Sequence, residues 1–306
     1  MTFRLARHTT DLQAIEIFYT SIVGLQKLGS FQNHDGYEGI FLGHPHQDWH
    51  LEFTSSGDAP DSRFDDDDCL VFYVESKIEI TEIKDNIVKH NIATIEPKNP
   101  YWKVNGLMIA DPDGYKIVFA LKDLPLNSDD ELTQLVRTKN ISNWSDLLDY
   151  VKALPYGRNA HRDDFSLVLK EEQGTCSSKH AFLKKVAQLN NTSNIKLIMS
   201  LYKMNHLNTP KIGNTLLENG LDYIPEAHCY LMINNRRYDL TSANASIHHL
   251  IDDVLEEKEI EPEQVNIFKV NYHKDFIKKW IAEGATDLSF ESVWAVREAC
   301  ITKLGE

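Results

Sequence analysis

FRLARHTTDLQAIEIFYTSIV (3–23) and CLVFYVESKIEITEIKDNIVK (69–89) read as one pair of elements met twice. Each opens on a short β-prone run, 3–9 and 69–74, and continues into a helix. Leu12, Ile15, Tyr19 and Ile22 share one face of the first helix, and Ile80, Ile83 and Ile87 share one face of the second. Three strand candidates with glycine-containing turns follow each helix. They lie around 26–32, 37–43 and 49–54, then around 92–96, 104–110 and 115–121. Two βαβββ units therefore fill the chain to about residue 124, where the pattern changes.

The expected class is α+β, with one domain over 1–124 and a second over 125–306. The chain has 306 residues, 42% of them apolar and 25% charged, as in an ordinary globular protein. Its net charge of −14 is spread over both parts, −9 on 1–124 and −5 on 125–306. That balance argues against a nucleic-acid partner or an anionic membrane surface, both of which need clustered cations. No apolar run approaches the ~18 residues of a membrane span, and MTFRLARHTTD has no secretory apolar core. Cys69, Cys176, Cys229 and Cys300 form no CxxC pair, so reduced thiols and a cytoplasmic location are expected.

With TTDLQAIEIFYTSIVGLQKLG in the first unit and DPDGYKIVF in the second, residues 1–124 resemble the vicinal oxygen chelate superfamily of glyoxalase, bleomycin-resistance and extradiol dioxygenase proteins. The resemblance implies a half-open barrel around a cavity, commonly within a homodimer. It also implies metal ligands on the first and last strand of each unit, which here fall on Arg4, Glu52, Cys69 and Val118. Arginine does not ligate a divalent cation and valine has no donor atom, so neither a metal nor another cofactor is expected. Arg4 and Glu52 instead suggest a charge pair in the cavity, structural or ligand-binding. His8 shares the strand parity of Arg4, and His50 that of Glu52, so both are candidates to line it.

Helices open the second part, with Ser128 or Asp129 expected to cap the first. The informative stretch is EEQGTCSSKHAFLKKVAQLN (171–190). Gly174 breaks the preceding segment, Thr175 suits an N-cap, and His180, Leu183 and Ala187 recur at helical spacing, which puts Cys176 in the first turn. Unpaired amides and the helix dipole favour a thiolate there and would receive a developing oxyanion. Gln173 is a candidate oxyanion donor. His180 is a competing base, but one that shares its helix with the thiol and lacks an orienting acid.

HCYLMI (228–233) and RRYDLT (236–241) read as strands about Asn234-Asn235, since Asn tolerates the positive φ of a type I′ turn. Two-residue closure pairs Ile233 with Arg236, Tyr230 with Asp239 and His228 with Thr241, which puts His228 and Asp239 on one face as diagonal neighbours. In the remaining sequence ASIHHLIDDVLEEKEIEPEQ (245–264) suggests a helix running into an acidic connector, VNIFKV (265–270) a strand or extended piece, and two more helices follow.

GTCSSKHAFL, EAHCYLMI and RRYDLT together resemble the transglutaminase-like superfamily of papain-type folds. The resemblance implies Cys176 as nucleophile, His228 as base and Asp239 as its orienting acid. The departures are Cys229 and Tyr230 after the histidine and Leu240 where proline is common. The expected activity is thiol-dependent acyl transfer or hydrolysis on an amide or peptide acyl donor. Beside it stand a small-molecule binding or resistance protein with an inactive second domain, and a metal-dependent glyoxalase-type lyase.

Overall fold

The computed structural model describes residues 2–45, 47–61, 64–122 and 124–305. Contacts divide the chain into two units, Met1–Lys122 and Asp123–Glu306, each with its own apolar cluster.

In the first unit β1 (Phe3–His8), α1 (Leu12–Ser21), β2 (Gln26–His34), β3 (Tyr37–Gly43) and β4 (Trp49–Ser55) form a sheet in the order β1-β4-β3-β2. A second set, β5 (Cys69–Val74), α2 (Lys77–Lys89), β6 (Thr94–Ile95), α3 (Pro100–Asn105), β7 (Gly106–Ala110) and β8 (Lys116–Leu121), repeats it as β5-β8-β7-β6. In both sheets the first strand runs parallel to the last, and the other neighbours are antiparallel. Cross-strand partners share a face, so Leu5, Ile40, Leu42, Leu51 and Phe53 pack with Ile15, Phe18 and Tyr19 of α1. The opposite face of that sheet carries Arg4, His8, His50 and Glu52. In the repeat, Val74, Ile117 and Phe119 join the same cluster, while Cys69, Val71 and Val118 point away from it. The sequence reading misses α3. Asn99 caps it through the Tyr101 amide and Pro100 occupies its first turn, which leaves only two residues of the strand expected over 92–96.

One side chain ties the two repeats together. Arg7 of β1 donates to Asp111 Oδ2 at 2.7 Å, and the Tyr19 hydroxyl donates to the same oxygen at 3.0 Å. The other oxygen of Asp111 accepts the amides of Asp113 and Tyr115, closing the DPDG turn. The guanidinium lies 4.2 Å from the centroid of the Tyr115 ring and 5.1 Å from that of Phe64.

The second unit opens with α4 (Glu131–Thr138), α5 (Trp144–Ala153), α6 (Leu167–Lys170) and α7 (Cys176–Leu189). An antiparallel sheet follows, β11-β10-β9-β12, from β9 (Ile195–Met204), β10 (Ile224–Ile233), β11 (Arg236–Tyr238) and β12 (Val254–Ile260); α8 (Ile267–Ala282) and α9 (Phe290–Leu304) complete it. Helix α7 packs on β9 and β10, and α8 on β10. The cap of α4 is Asp130, one or two residues later than expected.

Two sequence expectations fail near the end. The helix expected to open 245–264 is instead two 3₁₀ turns, and the acidic connector is β12, an edge strand whose pairing with β9 overrides the helix propensity of its Glu-Glu-Lys-Glu run. VNIFKV is not extended, because α8 begins at Ile267. Its inward stripe of Lys269, His273, Ile277 and Trp280 has helical spacing but includes two polar residues, which conceals it in an apolar count. Among the described residues no helix is long and apolar enough to cross a membrane.

Replacing Asp111 with alanine should leave the 9%-exposed Arg7 side chain with only the more distant Asp113, 3.8 Å away, a loss of up to about 3–5 kcal/mol for a buried pair broken on one side. Hydrogen exchange of the intact chain should then show faster exchange throughout residues 3–121 and little change beyond 124. Unaltered protection of β1 and β8 would refute the assignment.

Candidate active site

Cys176 is the first residue of α7. The Thr175 hydroxyl accepts the Ser178 amide at 3.3 Å, and Ser178 Oγ accepts the Thr175 amide at 2.9 Å. This reciprocal cap fixes the helix start and takes up the amide of Ser178, so the helix field acts on the thiol from a defined position. Gly174 permits a close approach, since a Cβ there would meet Lys179 Cγ at 2.8 Å.

His228 sits mid-strand in β10, paired with Ser200 of β9. The turn is as expected, with φ of 48° at Asn234 and 65° at Asn235, and Ile233 faces Arg236. The ladder ends earlier than expected, at Leu231–Tyr238, so Tyr230 does not pair with Asp239 nor His228 with Thr241. Asp239 leaves the strand and still reaches the imidazole, with Oδ2 at 3.0 Å from His228 Nε2. Its other oxygen accepts the amide of Thr241 at 3.0 Å and the hydroxyl of the same residue at 2.5 Å. The charge of the imidazole also acts on the sulfur of Cys176.

The electrostatics follow from this contact. Burial pushes the Cys176 thiol up, but the nearby His228 imidazolium, Lys269 and the Cys229 amide outweigh it and bring the thiol down to about 6. Burial also opposes a charge on His228, yet Asp239 and the sulfur raise it well above the ordinary imidazole value. Asp239 is held far below the carboxylate range despite its burial, chiefly by His228. Both shifts run in the direction that favours a thiolate beside an imidazolium.

His180 is no competing base. Its Nδ1 faces the Cys176 carbonyl at 2.7 Å and its Nε2 accepts the Leu240 amide at 2.8 Å, which fixes the tautomer. Fully buried, it falls to about 4, with burial as the main cause. Gln173 does not face the site either. Its amide nitrogen donates to the Arg158 carbonyl at 3.1 Å, its side chain packs over Gly157, and it does not line the cavity onto which Cys176 opens.

Three residues near the sulfur were not singled out from the sequence as site residues. Tyr156 lines the cavity of about 180 Å³ beside Cys176, held there because residues 155–157 pair with Gly174. Burial and the Cys176 charge both push its hydroxyl up, so it stays a donor. Lys179 is fully buried on α7 and donates to the carbonyls of Leu154 at 2.5 Å and Thr241 at 2.7 Å. Burial lowers it to about 8. Lys269 of α8 donates to the Ala227 carbonyl at 2.7 Å and lines the same cavity. A turn Tyr and two lysines carry no sequence signal for such positions.

The first unit places its candidates differently. Arg4 and Glu52 pair at 3.0 Å, but the Arg4 side chain is 57% exposed, so the pair stands at the rim of the sheet face rather than enclosed. His8 does not join it, bonding instead to Thr54, Ser56 and the Asp58 carbonyl, and His50 stacks edge-on against Phe41. Cys69 is pushed up by burial and by Asp67 and Asp68, and Val118 is fully buried. Among the described residues no three His, Cys, Asp or Glu gather to hold a metal, and the donor set Arg4, Glu52, Cys69 and Val118 does not fit one.

Comparison with known proteins bears on this first unit. Residues 3–54 match the model of the YycE-like N-terminal domain, and residues 67–120 that of the YycE-like C-terminal domain. The chain is 40% identical over 117 residues to "Uncharacterized protein YycE" of Bacillus subtilis (strain 168), covering 38% of this chain and 84% of that protein. Among solved structures it is similar to Bacillus subtilis YycE, described as a putative glyoxalase/fosfomycin resistance protein. That match has 39% identity over 39% of this chain and 88% of the other, with a TM-score of 0.36. It is also similar to the genomically encoded fosfomycin resistance protein FosX of Listeria monocytogenes, at 13% identity over 39% and 88%, TM-score 0.31.

A pH series of iodoacetamide alkylation tests the thiolate. Because the folded-state pKa of Cys176 is depressed, its reactivity should be present above about 6 and lost only as pH falls through that value, whereas an ordinary thiol titrates near ~8.5. Substituting Asp239 with asparagine should move the midpoint upward. A wild-type midpoint at the ordinary thiol value would remove the ion pair.

Proposed function

We propose that this chain, which belongs to the YycE-like family through its first unit, carries out thiol-dependent acyl transfer or amide hydrolysis in its second. The reading is supported chiefly by the His228–Asp239 hydrogen bond, whose imidazole acts on Cys176 at a capped helix start beside a cavity. The likeness of residues 140–245 to transglutaminase-like proteins, in GTCSSKHAFL, EAHCYLMI and RRYDLT, agrees with it.

In this mechanism the Cys176 thiolate attacks an amide carbonyl and a carbon–sulfur bond forms while the carbonyl electron pair moves to oxygen. The Tyr156 hydroxyl and the amides at the start of α7 receive that oxyanion. His228 passes its proton to the amide nitrogen, the carbon–nitrogen bond breaks, and the amine departs. Water or a second amine, deprotonated by the now neutral His228, attacks the thioester and returns the thiolate. Asp239 keeps the ring oriented and offsets its charge at each stage. His180 and Lys179 are positioning residues. The former holds the Leu240 amide next to Asp239, and the latter holds Thr241 against α7.

The first unit serves in this proposal as a metal-free accessory or small-molecule-binding module, with the Arg4–Glu52 pair offering a charged anchor on the sheet face. No step runs through a metal, because the donors at the four ligand positions do not fit one.

Turnover of p-nitroanilides and amine incorporation into glutamine-containing peptides would test the assignment. Cys176→Ala should abolish both, and His228→Ala should abolish the rate advantage of Cys176 over the other thiols. Tyr156→Phe should lower kcat by about 10²–10³-fold with little change in KM, as expected of an oxyanion donor. Activity that survives Cys176→Ala would end the proposal.

A further inference from the structure

The cavity beside Cys176 runs against the charge of the rest of the molecule. The chain as a whole carries −14, yet this lining holds five cationic side chains, Arg158, Arg162, Lys269, Lys274 and Arg297, against two carboxylates, Glu226 and Glu298. Both carboxylates are already claimed. Arg297 grips Glu226 through two hydrogen bonds of 2.5 and 2.7 Å, and Glu298 bonds to Arg297 at 2.6 Å and to Arg158 at 2.7 Å. That leaves Arg162, Lys269 and Lys274 facing the cavity in excess.

Lys269 is the telling member. It is only 6% exposed, its ammonium donates to the Ala227 carbonyl, and its charge acts on the sulfur of Cys176. A buried ammonium is costly without a counter-charge. In the resting site the thiolate supplies part of it beside Glu226. Acylation converts that thiolate into a neutral thioester, and its share of the counter-charge disappears just when the acyl group enters the cavity.

We propose that the acyl group accepted by Cys176 carries a carboxylate a few bonds from its reacting carbonyl, bound in this cavity by Lys269, Arg162 and Lys274. The inference rests on the thiol-enzyme reading above and adds to it the substrate class, the half-amides of small dicarboxylic acids and amides of acidic acyl residues. The volume of about 180 Å³ suits such a group, since a cavity of ~150 Å³ accommodates a benzene ring. A wholly apolar acyl chain would leave three cations desolvated beside it.

Two alkylating agents of nearly equal size separate the claims. Iodoacetate carries the carboxylate and iodoacetamide does not; in both cases the sulfur forms a bond to the methylene and iodide leaves with its electron pair. On the intact chain, the ratio of iodoacetate to iodoacetamide rates at Cys176, read by mass spectrometry, should exceed that of N-acetylcysteine by roughly tenfold or more, as charge focusing in a cleft allows. It should fall with added salt. Lys269→Met should bring the ratio down toward the free-thiol value. Because that buried change risks misfolding, the double replacement Arg162→Ala with Lys274→Ala, both at half-buried positions, should lower it as well. Fast reaction with iodoacetamide together with a free-thiol ratio would overturn the anionic acyl group and leave the thiol enzyme standing. Slow reaction with iodoacetamide itself would overturn both.

Discussion

The second unit turns on a buried ammonium. Lys179, one turn along α7 from Cys176, reaches the carbonyl of Leu154 on one side and that of Thr241 on the other. The first carbonyl ends α5 and leads two residues later to Tyr156; the second follows Asp239 by two residues. A single side chain on the nucleophile's own helix thus sets the position of two separate segments, one bearing the hydroxyl and the other the carboxylate. Gly174 is required for the same reason, since the Lys179 stem passes where its side chain would be. Burial of an amine costs free energy, and the two charge-assisted hydrogen bonds offset that cost.

Much of this was legible in the sequence, and for identifiable reasons. Thr175 announces a helix start because its side chain suits a free amide, and Asn234-Asn235 announces a tight turn because both residues tolerate positive φ. Together these fix which faces Cys176 and His228 occupy. The ladder does not run as far as the turn implied, and Asp239 reaches His228 from a segment outside the sheet rather than as a diagonal neighbour. Gln173 had the right composition for an oxyanion donor, but the carbonyl of Arg158 takes up its amide. Tyr156, Lys179 and Lys269 depend on long-range packing that no local pattern encodes. The β12 strand shows the same limit from the other side: a glutamate-rich run favours helix until β9 offers it an edge.

The first unit shows how far a repeat constrains a fold without constraining its chemistry. Apolar residues at period two and period 3.6 recur in both halves and set two sheets of the same order. Arg7 then joins the halves by holding the turn of the second from a strand of the first. On the opposite sheet face, the positions where the broader fold places ligands carry a guanidinium, a carboxylate, a thiol and an isopropyl group. Scaffold and site are separable there, as they commonly are.

Lys179 has one more property, visible in the number of its partners. A protonated amine has three hydrogens to give and a neutral one has two. Only two carbonyls are bound. Since burial brings this lysine to about 8, mild alkalinity removes a proton that the clamp does not use. Each carbonyl keeps a hydrogen after that loss but no longer a charge-assisted one, so alkali would alter the local field around the sulfur and loosen the brace together.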